Sequence, residues 1–180
     1  MILYRSAELS SGSGRTVHGI AVPYGQIATV SDGGEPYRES FAYGAFDRSI
    51  SERGHKIRLF ANHQTRQFPV GRAVELREET DGLHVAFEIA ATRDGDDALE
   101  LVSSGTVDSF SVRFSGIRHR MEGGVMVRTE ASLREVSLTA LPAYSGAEIA
   151  GVRSQQSLII PRTVAQARLA RLDWATHDWC

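Results

Sequence analysis

A period-two alternation of apolar and polar residues recurs along this chain and limits the folds open to it. In the segment 82–89 every second residue is apolar, from Leu83 through Val85 and Phe87 to Ile89. Such alternation is typical of a strand with one buried face. Asp81-Gly82 predicts a hairpin turn from a preceding strand over 70–77. The repeated pattern predicts a mainly antiparallel β core, at spacings typical of a barrel or a sandwich.

The sequence also predicts five further strands and two short helices. Further strands are predicted over 16–22, 57–61, 107–117, 125–129 and 135–140, with Gly123-Gly124 as a turn. One predicted helix is capped by Ser40, passes through Phe41 and Ile50, and ends at Gly54. A second has Thr92 or Asp94 as its cap and ends at Gly105. Both helices are expected to lie on the β core.

The C-terminal part of the chain differs from the rest. The 180 residues suffice for one domain with a sizeable core. Beyond Ala150 a Ser/Gln-rich stretch leads to Pro161 and a basic helical run. We therefore predict a β domain over 1–152 and an appended tail with a short basic helix over 153–180.

Composition excludes several classes of function. With 20 Lys+Arg against 22 Asp+Glu the net charge is −2, so nucleic acid is not an expected partner. The single cysteine, Cys180, excludes an internal disulfide framework and a Cys-rich zinc site. Phosphate-loop, dinucleotide, H-E-x-x-H and G-x-S-x-G motifs are absent, so we predict no cofactor and no metal. Without a leader pattern or a long apolar run, we expect neither secretion nor a membrane location.

Polar residues on the predicted strands are of the types that acyl-transfer chemistry needs. Alternation places Ser109 and Ser111 on the outer face of the strand 107–117, and Glu135 and Ser137 on the outer face of the last predicted strand. His63 follows the apolar strand 57–61. A serine hydroxyl becomes nucleophilic when an imidazole takes its proton and a third group orients the imidazole. Alternation does not choose between the two serines, and such residues also occur on the solvated face of many β proteins.

Three stretches together resemble the prohead (capsid-maturation) proteases of tailed bacteriophages and, more distantly, the herpesvirus assemblins. They are Leu59-Phe60-Ala61-Asn62-His63 with Val70-Gly71 after it, residues 105–114 (GTVDSFSVRF), and Leu133-Arg134-Glu135-Val136-Ser137-Leu138 with Leu141-Pro142-Ala143 after it. Residues 19–24 and 41–46 also match in kind and in order, so the resemblance covers about His18 to Val152. No single stretch is very specific; the order of all five carries the resemblance.

The resemblance implies a fold and a catalytic site. The implied fold is α+β and mostly β, a closed or partly open antiparallel β-barrel flanked by a few short helices. The implied site is Ser111 as nucleophile, His63 as general base and Glu135 as the third member, where assemblins have a second histidine. The glycines that usually flank the serine motif are replaced by Ser109 and Arg113, which could narrow the site.

The resemblance also implies partners and a location. The substrates would be the capsid or scaffold precursor, and the enzyme's own terminus, inside the immature shell in the host cytoplasm. The tail over 153–180 would be self-cleaved or would dock to the shell, and assemblin-like activity would involve a homodimer. Two alternatives stay open: a non-catalytic assembly or scaffold protein with the same fold, and an unrelated β-barrel binding protein.

Overall fold

The computed structural model describes residues 14–31, 33–144 and 146–153. Within these residues the strands are β1 (Thr16–Pro23), β2 (Ala28–Val30), β3 (Tyr37–Phe41), β4 (Arg58–Ala61), β5 (Gly71–Glu78), β6 (Gly82–Ile89), β7 (Ser109–Glu122), β8 (Val125–Thr139) and β9 (Ile149–Arg153). The helices are α1 (Asp47–Arg53) and α2 (Arg93–Ser103), and a 3₁₀ turn, Gly54–Lys56, follows α1. The mostly-β content with short helices confirms the predicted class.

The strands form one mixed sheet in the order β2-β3-β8-β4-β5-β6-β1-β9, and β7 pairs with β8 outside this path. β8 is the centre of the arrangement, since it pairs antiparallel with β7 and parallel with both β3 and β4. Among the described strands most pairs are antiparallel, as predicted, and the two parallel pairs are those of β8 with β3 and with β4. The connection from β3 to β4 runs through α1, which allows the two strands to point the same way.

The sheet is not closed, so the predicted closed barrel is not found among the described strands. Its path ends at β2 and β9, which do not pair with each other. In the described part of the chain, an isolated bridge between Ser109 and Glu148 connects β7 to the segment before β9.

The inner face of the β7–β8 hairpin contributes to the core as predicted. Phe110, Val136 and Leu138 are buried in one apolar cluster, and Phe110 faces the ring of Phe87 at 6.2 Å between centroids. The pairing passes from Arg113 opposite Glu135 to Phe114 opposite Leu133, so one residue of β8 bulges out there. Because of this bulge both Leu133 and Val136 reach the core, which strict alternation would not allow.

Several predicted elements need correction. Ser40 and Phe41 belong to β3 rather than to a helix, because Ser40 pairs with Val127 of β8 and the Phe41 ring is buried; the helix begins only at Asp47. The strands predicted at 125–129 and 135–140 are one strand, β8, because β7 pairs along its whole length. The short strands β2, β3 and β9 were not predicted.

Other local predictions are confirmed. The hairpin at Asp81-Gly82 joins β5 to β6, and Gly123 and Gly124, both at positive φ, turn the chain between β7 and β8. Of the two candidate caps of α2, Thr92 is the one used: its hydroxyl accepts from the Gly95 amide at 3.2 Å.

The predicted tail over 153–180 lies outside the described residues, apart from Arg153 at the end of β9. Within the described part of the chain, no helix has the length and apolar character needed to cross a membrane.

Candidate active site

The pairing around β8 brings the three predicted site residues together. β7 places Ser111 opposite Ser137 of β8, two residues from Glu135. On the other side of β8, β4 pairs Ala61 with Leu138 and then ends, and His63 lies in the turn that follows. The three side chains thus come from three adjacent parts of the sheet.

The three side chains form a continuous hydrogen-bonded chain. His63 Nε2 lies 2.9 Å from Ser111 Oγ, and His63 Nδ1 lies 2.6 Å from Glu135 Oε1. An ionised carboxylate only accepts hydrogen bonds, so the proton of a neutral imidazole belongs on Nδ1. Nε2 then keeps a lone pair that can accept the proton of the Ser111 hydroxyl.

Burial differs along this chain of groups. Glu135 is 3% exposed, whereas the side chain of His63 is 32% exposed and Ser111 is partly exposed. The prediction that Glu135 and Ser137 point out to solvent is wrong, since Ser137 is fully buried. The reason is that the turn after β4 crosses this face of β8. There the main chain of His63 contacts Ser137 and the ring of His63 contacts Glu135.

That turn has an uncommon backbone. Asn62 and His63 both have positive φ, 48° and 58°. The left-handed region costs a residue with a side chain roughly 1–2 kcal/mol. Two hydrogen bonds to β8 hold the turn: the Asn62 amide donates to the Leu138 carbonyl at 2.9 Å, and the His63 amide donates to Ser137 Oγ at 3.1 Å. A third, from the Gln64 amide to the Ala61 carbonyl at 3.0 Å, closes it.

Comparison with known proteins identifies the family. The family model described as caudovirus prohead serine protease matches residues 3–159. The chain belongs to this family. A curated relative, the prohead protease of Enterobacteria phage HK97, is 30% identical over 125 residues, which are 67% of this chain and 56% of the relative. This chain thus spans little more than half the length of that relative.

A solved structure shows a weaker likeness. The bacteriophage T4 capsid assembly protease matches with a TM-score of 0.40 and 10% identity, over 77% of this chain and 98% of the T4 chain. A score at this level does not establish a shared fold.

Ser109, the alternative hydroxyl in this member of the prohead serine protease family, has a different partner. Its hydroxyl donates to the Asp108 carboxylate at 2.7 Å, and the residue is buried. Strand alternation left Ser109 and Ser111 equivalent, but in the structure the imidazole of His63 contacts Ser111.

Arg113, the other departure from the prohead protease motif, lies beside the buried carboxylate. Its Nε is 3.9 Å from Glu135 Oε1, and its side chain is 53% exposed. This position leaves the contact between His63 and Ser111 in place.

The sequence pattern alone indicates no role for Ser137. Its hydroxyl donates to Glu135 Oε2 at 2.7 Å and accepts from the His63 amide. The available signal was its place two residues from Glu135 on the same face of the predicted strand.

Among the described residues of this prohead protease homologue, no group of three or more His, Cys, Asp or Glu side chains is arranged to hold a metal ion.

Proposed function

We propose that this chain is a serine endopeptidase that cleaves capsid or scaffold precursor proteins, and itself, during maturation of a tailed-phage head. The observation that carries the proposal is the chain of contacts from Ser111 Oγ through the His63 ring to Glu135, with distances of 2.9 and 2.6 Å. Membership of the prohead serine protease family supports a protein substrate.

The proposed mechanism follows from this arrangement. His63 Nε2 takes the Ser111 proton as Oγ bonds to the scissile carbonyl carbon, and Glu135 stabilises the imidazolium that forms. The imidazolium then gives the proton to the leaving amine as the C–N bond breaks. Water, deprotonated by His63, hydrolyses the acyl-enzyme and restores the serine. Burial of Glu135 strengthens its interaction with the imidazolium, because the local dielectric is low.

We further propose that the strands curve into a partly open barrel that supports this site. Residues 147–149 hydrogen-bond to both β1 and the start of β7: the Phe110 amide donates to the Ala147 carbonyl at 3.0 Å, and the Ile20 amide donates to the Glu148 carbonyl at 2.9 Å. These bonds place a short segment between two strands that are far apart in the sheet order.

The partners and location belong to the same proposal. The HK97 relative is named a prohead protease, and from this we infer that the present chain acts in the assembling capsid, in the host cytoplasm. We infer that the tail over 153–180 is removed by self-cleavage or docks to the shell, and that the active form is a homodimer. The mechanism calls for no cofactor, and we expect no nucleic-acid or membrane partner. A non-catalytic scaffold is the alternative; it would be favoured if Ser109 and Arg113 obstructed Ser111, but both have other contacts.

The test uses the full chain and three proteins: wild type, Ser111→Ala and Ser109→Ala. A fluorophosphonate probe measures the rate of serine labelling, and mass spectrometry measures self-processing. We expect wild type and Ser109→Ala to be labelled and processed, and Ser111→Ala to lose both by at least roughly 10³-fold. Equal labelling of wild type and Ser111→Ala, or no labelling of wild type at all, would overturn the proposal.

A further inference from the structure

The Ser137 hydroxyl connects two parts of the candidate site, His63 and Glu135, that are distant in sequence. It lies 3.1 Å from the main-chain nitrogen of His63 and 2.7 Å from Glu135 Oε2. The same histidine contacts the other oxygen of the same carboxylate through its ring, at 2.6 Å. The main chain of His63, its ring, Glu135 and Ser137 thus form a closed ring of hydrogen bonds.

The direction of each bond in this ring is determined by chemistry. An amide N–H only donates and a carboxylate only accepts, so the Ser137 hydroxyl accepts from His63 and donates its single proton to Glu135. Ser137 is fully buried, so water does not substitute for either partner at its side chain.

The position of Ser137 explains why the bond to the main chain is needed. The parallel ladder between β4 and β8 ends with the Asn62 amide donating to the Leu138 carbonyl at 2.9 Å. The next residue, His63, turns away at φ 58°, and its amide is satisfied by a side chain of β8 instead of by a carbonyl. This bond orients the backbone from which the imidazole projects.

We propose that Ser137 is a positioning residue, whose hydroxyl holds the His63 backbone and the Glu135 carboxylate in the relative orientation that aims Nε2 at Ser111. The inference rests on the proposed function, because it assigns Ser137 to the same proton-transfer chain. Ser137 does not touch the substrate; it acts through His63 and Glu135. Removing its hydroxyl frees both groups to rotate away from Ser111.

The experiment compares Ser137→Ala and Ser137→Cys with a matched control, Ser49→Ala. Ser49 is also a buried serine, and its hydroxyl accepts from a main-chain amide of β8, that of Leu133, at 2.9 Å. All three variants therefore remove the serine acceptor of a main-chain amide, but only the first two alter the candidate site. The cysteine variant keeps the side-chain volume with a weak donor, so it is measured even if the alanine variant does not fold.

The measured quantities are the maximal rate of fluorophosphonate labelling, the probe concentration for half-maximal rate, and the far-downfield NMR signal of the His63 Nδ1 proton. Outer hydrogen-bond partners of metal-binding histidines typically contribute 10–100-fold to affinity or activity, and we expect the same range for the residue that orients His63. We expect a maximal rate lower by about 10- to 100-fold in both Ser137 variants, with little change in the half-maximal concentration, and a shifted or lost Nδ1 signal. Ser49→Ala should keep the wild-type values of all three quantities.

Two results would overturn the inference. One is a wild-type maximal rate and an unchanged Nδ1 signal in folded Ser137 variants; the other is an equal loss of rate in Ser49→Ala, which would indicate a structural effect alone. Failure of the proposed function is distinguishable, because in that case wild type itself shows no labelling that depends on Ser111.

Discussion

Two buried glutamates lie near opposite ends of β8, one on the neighbouring strand β3 and one in β8 itself, and their surroundings differ. Glu39 of β3, 2% exposed, accepts from Arg128 Nε at 2.6 Å and from the Tyr144 hydroxyl at 3.0 Å. Glu135 contacts an imidazole at 2.6 Å and a serine hydroxyl at 2.7 Å. Both are carboxylates removed from water, yet one is paired with a permanent cation and the other with a group that can gain or lose a proton.

Under the proposed function, this difference separates a structural carboxylate, Glu39, from one that takes part in the reaction, Glu135. The charge of Glu39 is neutralised by an arginine that stays protonated, so this ion pair has no proton to move. Glu135 pairs with a titratable ring whose second nitrogen reaches Ser111, so charge can develop on the imidazole and be stabilised there. Both carboxylates are buried, so burial does not distinguish the candidate site. What distinguishes it is that the partner of Glu135 is a titratable imidazole.

The largest expected effect is on labelling of the Ser111 hydroxyl when Glu135 is replaced. In Glu135→Gln the carboxamide can donate to Nδ1, which favours the tautomer with the proton on Nε2 and prevents that nitrogen from accepting the serine proton. We expect the fluorophosphonate labelling rate to fall by roughly 10³- to 10⁴-fold while the protein stays folded. Glu39→Gln is the control and should keep its labelling rate per folded molecule. A loss of equal size in both variants would remove the distinction between the two carboxylates.

The second effect is on stability at the other end of β8. Glu39→Ala leaves the guanidinium of Arg128, whose side chain is 14% exposed, without its carboxylate. Breaking a buried pair by removing one partner costs about 3–5 kcal/mol of unfolding free energy, measured by urea denaturation. The surface pair of Arg48 and Glu52 provides the comparison, and Glu52→Ala should cost less than about 1 kcal/mol. Similar losses for the two pairs would contradict the burial argument.

The third effect concerns the phenol that donates to Glu39. Burial, with the neighbouring carboxylate, raises the pKa of Tyr144 above its ordinary value. Tyr144→Phe should lower the unfolding free energy at neutral pH by about 1.5–3 kcal/mol, the range for a hydrogen bond to a charged group. Tyr43→Phe, at an exposed ring, should have little effect.

The raised pKa of Tyr144 also predicts how stability depends on pH. A folded pKa above the unfolded value of about 10 means that the stabilisation is complete below pH 10 and is lost as the pH rises further. Wild type should therefore lose more stability than Tyr144→Phe between pH 10 and 12, measured by urea denaturation at each pH. Parallel pH curves for the two proteins would contradict this assignment.

The candidate site also shows how much of the structure could be predicted from the sequence. Alternation predicted β6 with its observed bounds and identified the serines and glutamate that share a face in β7 and β8. It did not predict that this face is buried at Glu135, because a period of two groups residues by face without showing what covers the face.

What covers the face depends on a contact distant in sequence. The turn at His63 lies 72 residues from Glu135 along the chain, and its left-handed backbone has no glycine to indicate it. The helix predicted from Ser40 ends at Gly54 as expected but begins only at Asp47, because long-range pairing of β3 with β8 overrode a local capping signal. The choice of Ser111 and of Glu135 came from the resemblance to prohead proteases, and their role stays a proposal.

The smallest expected effect tests the departure from the family motif at Arg113. Its guanidinium lies 3.9 Å from Glu135 Oε1 but is half exposed, so solvent and salt weaken the pair. Arg113→Gln should change the labelling rate by at most about fivefold, and by less at high ionic strength. Arg118→Gln, farther along β7 at an exposed guanidinium that pairs with Glu130, is the control and should match wild type. A rise of more than tenfold in Arg113→Gln would mean that the arginine obstructs Ser111, whereas a comparable fall would place it beside Ser137 as a group that holds Glu135 in position.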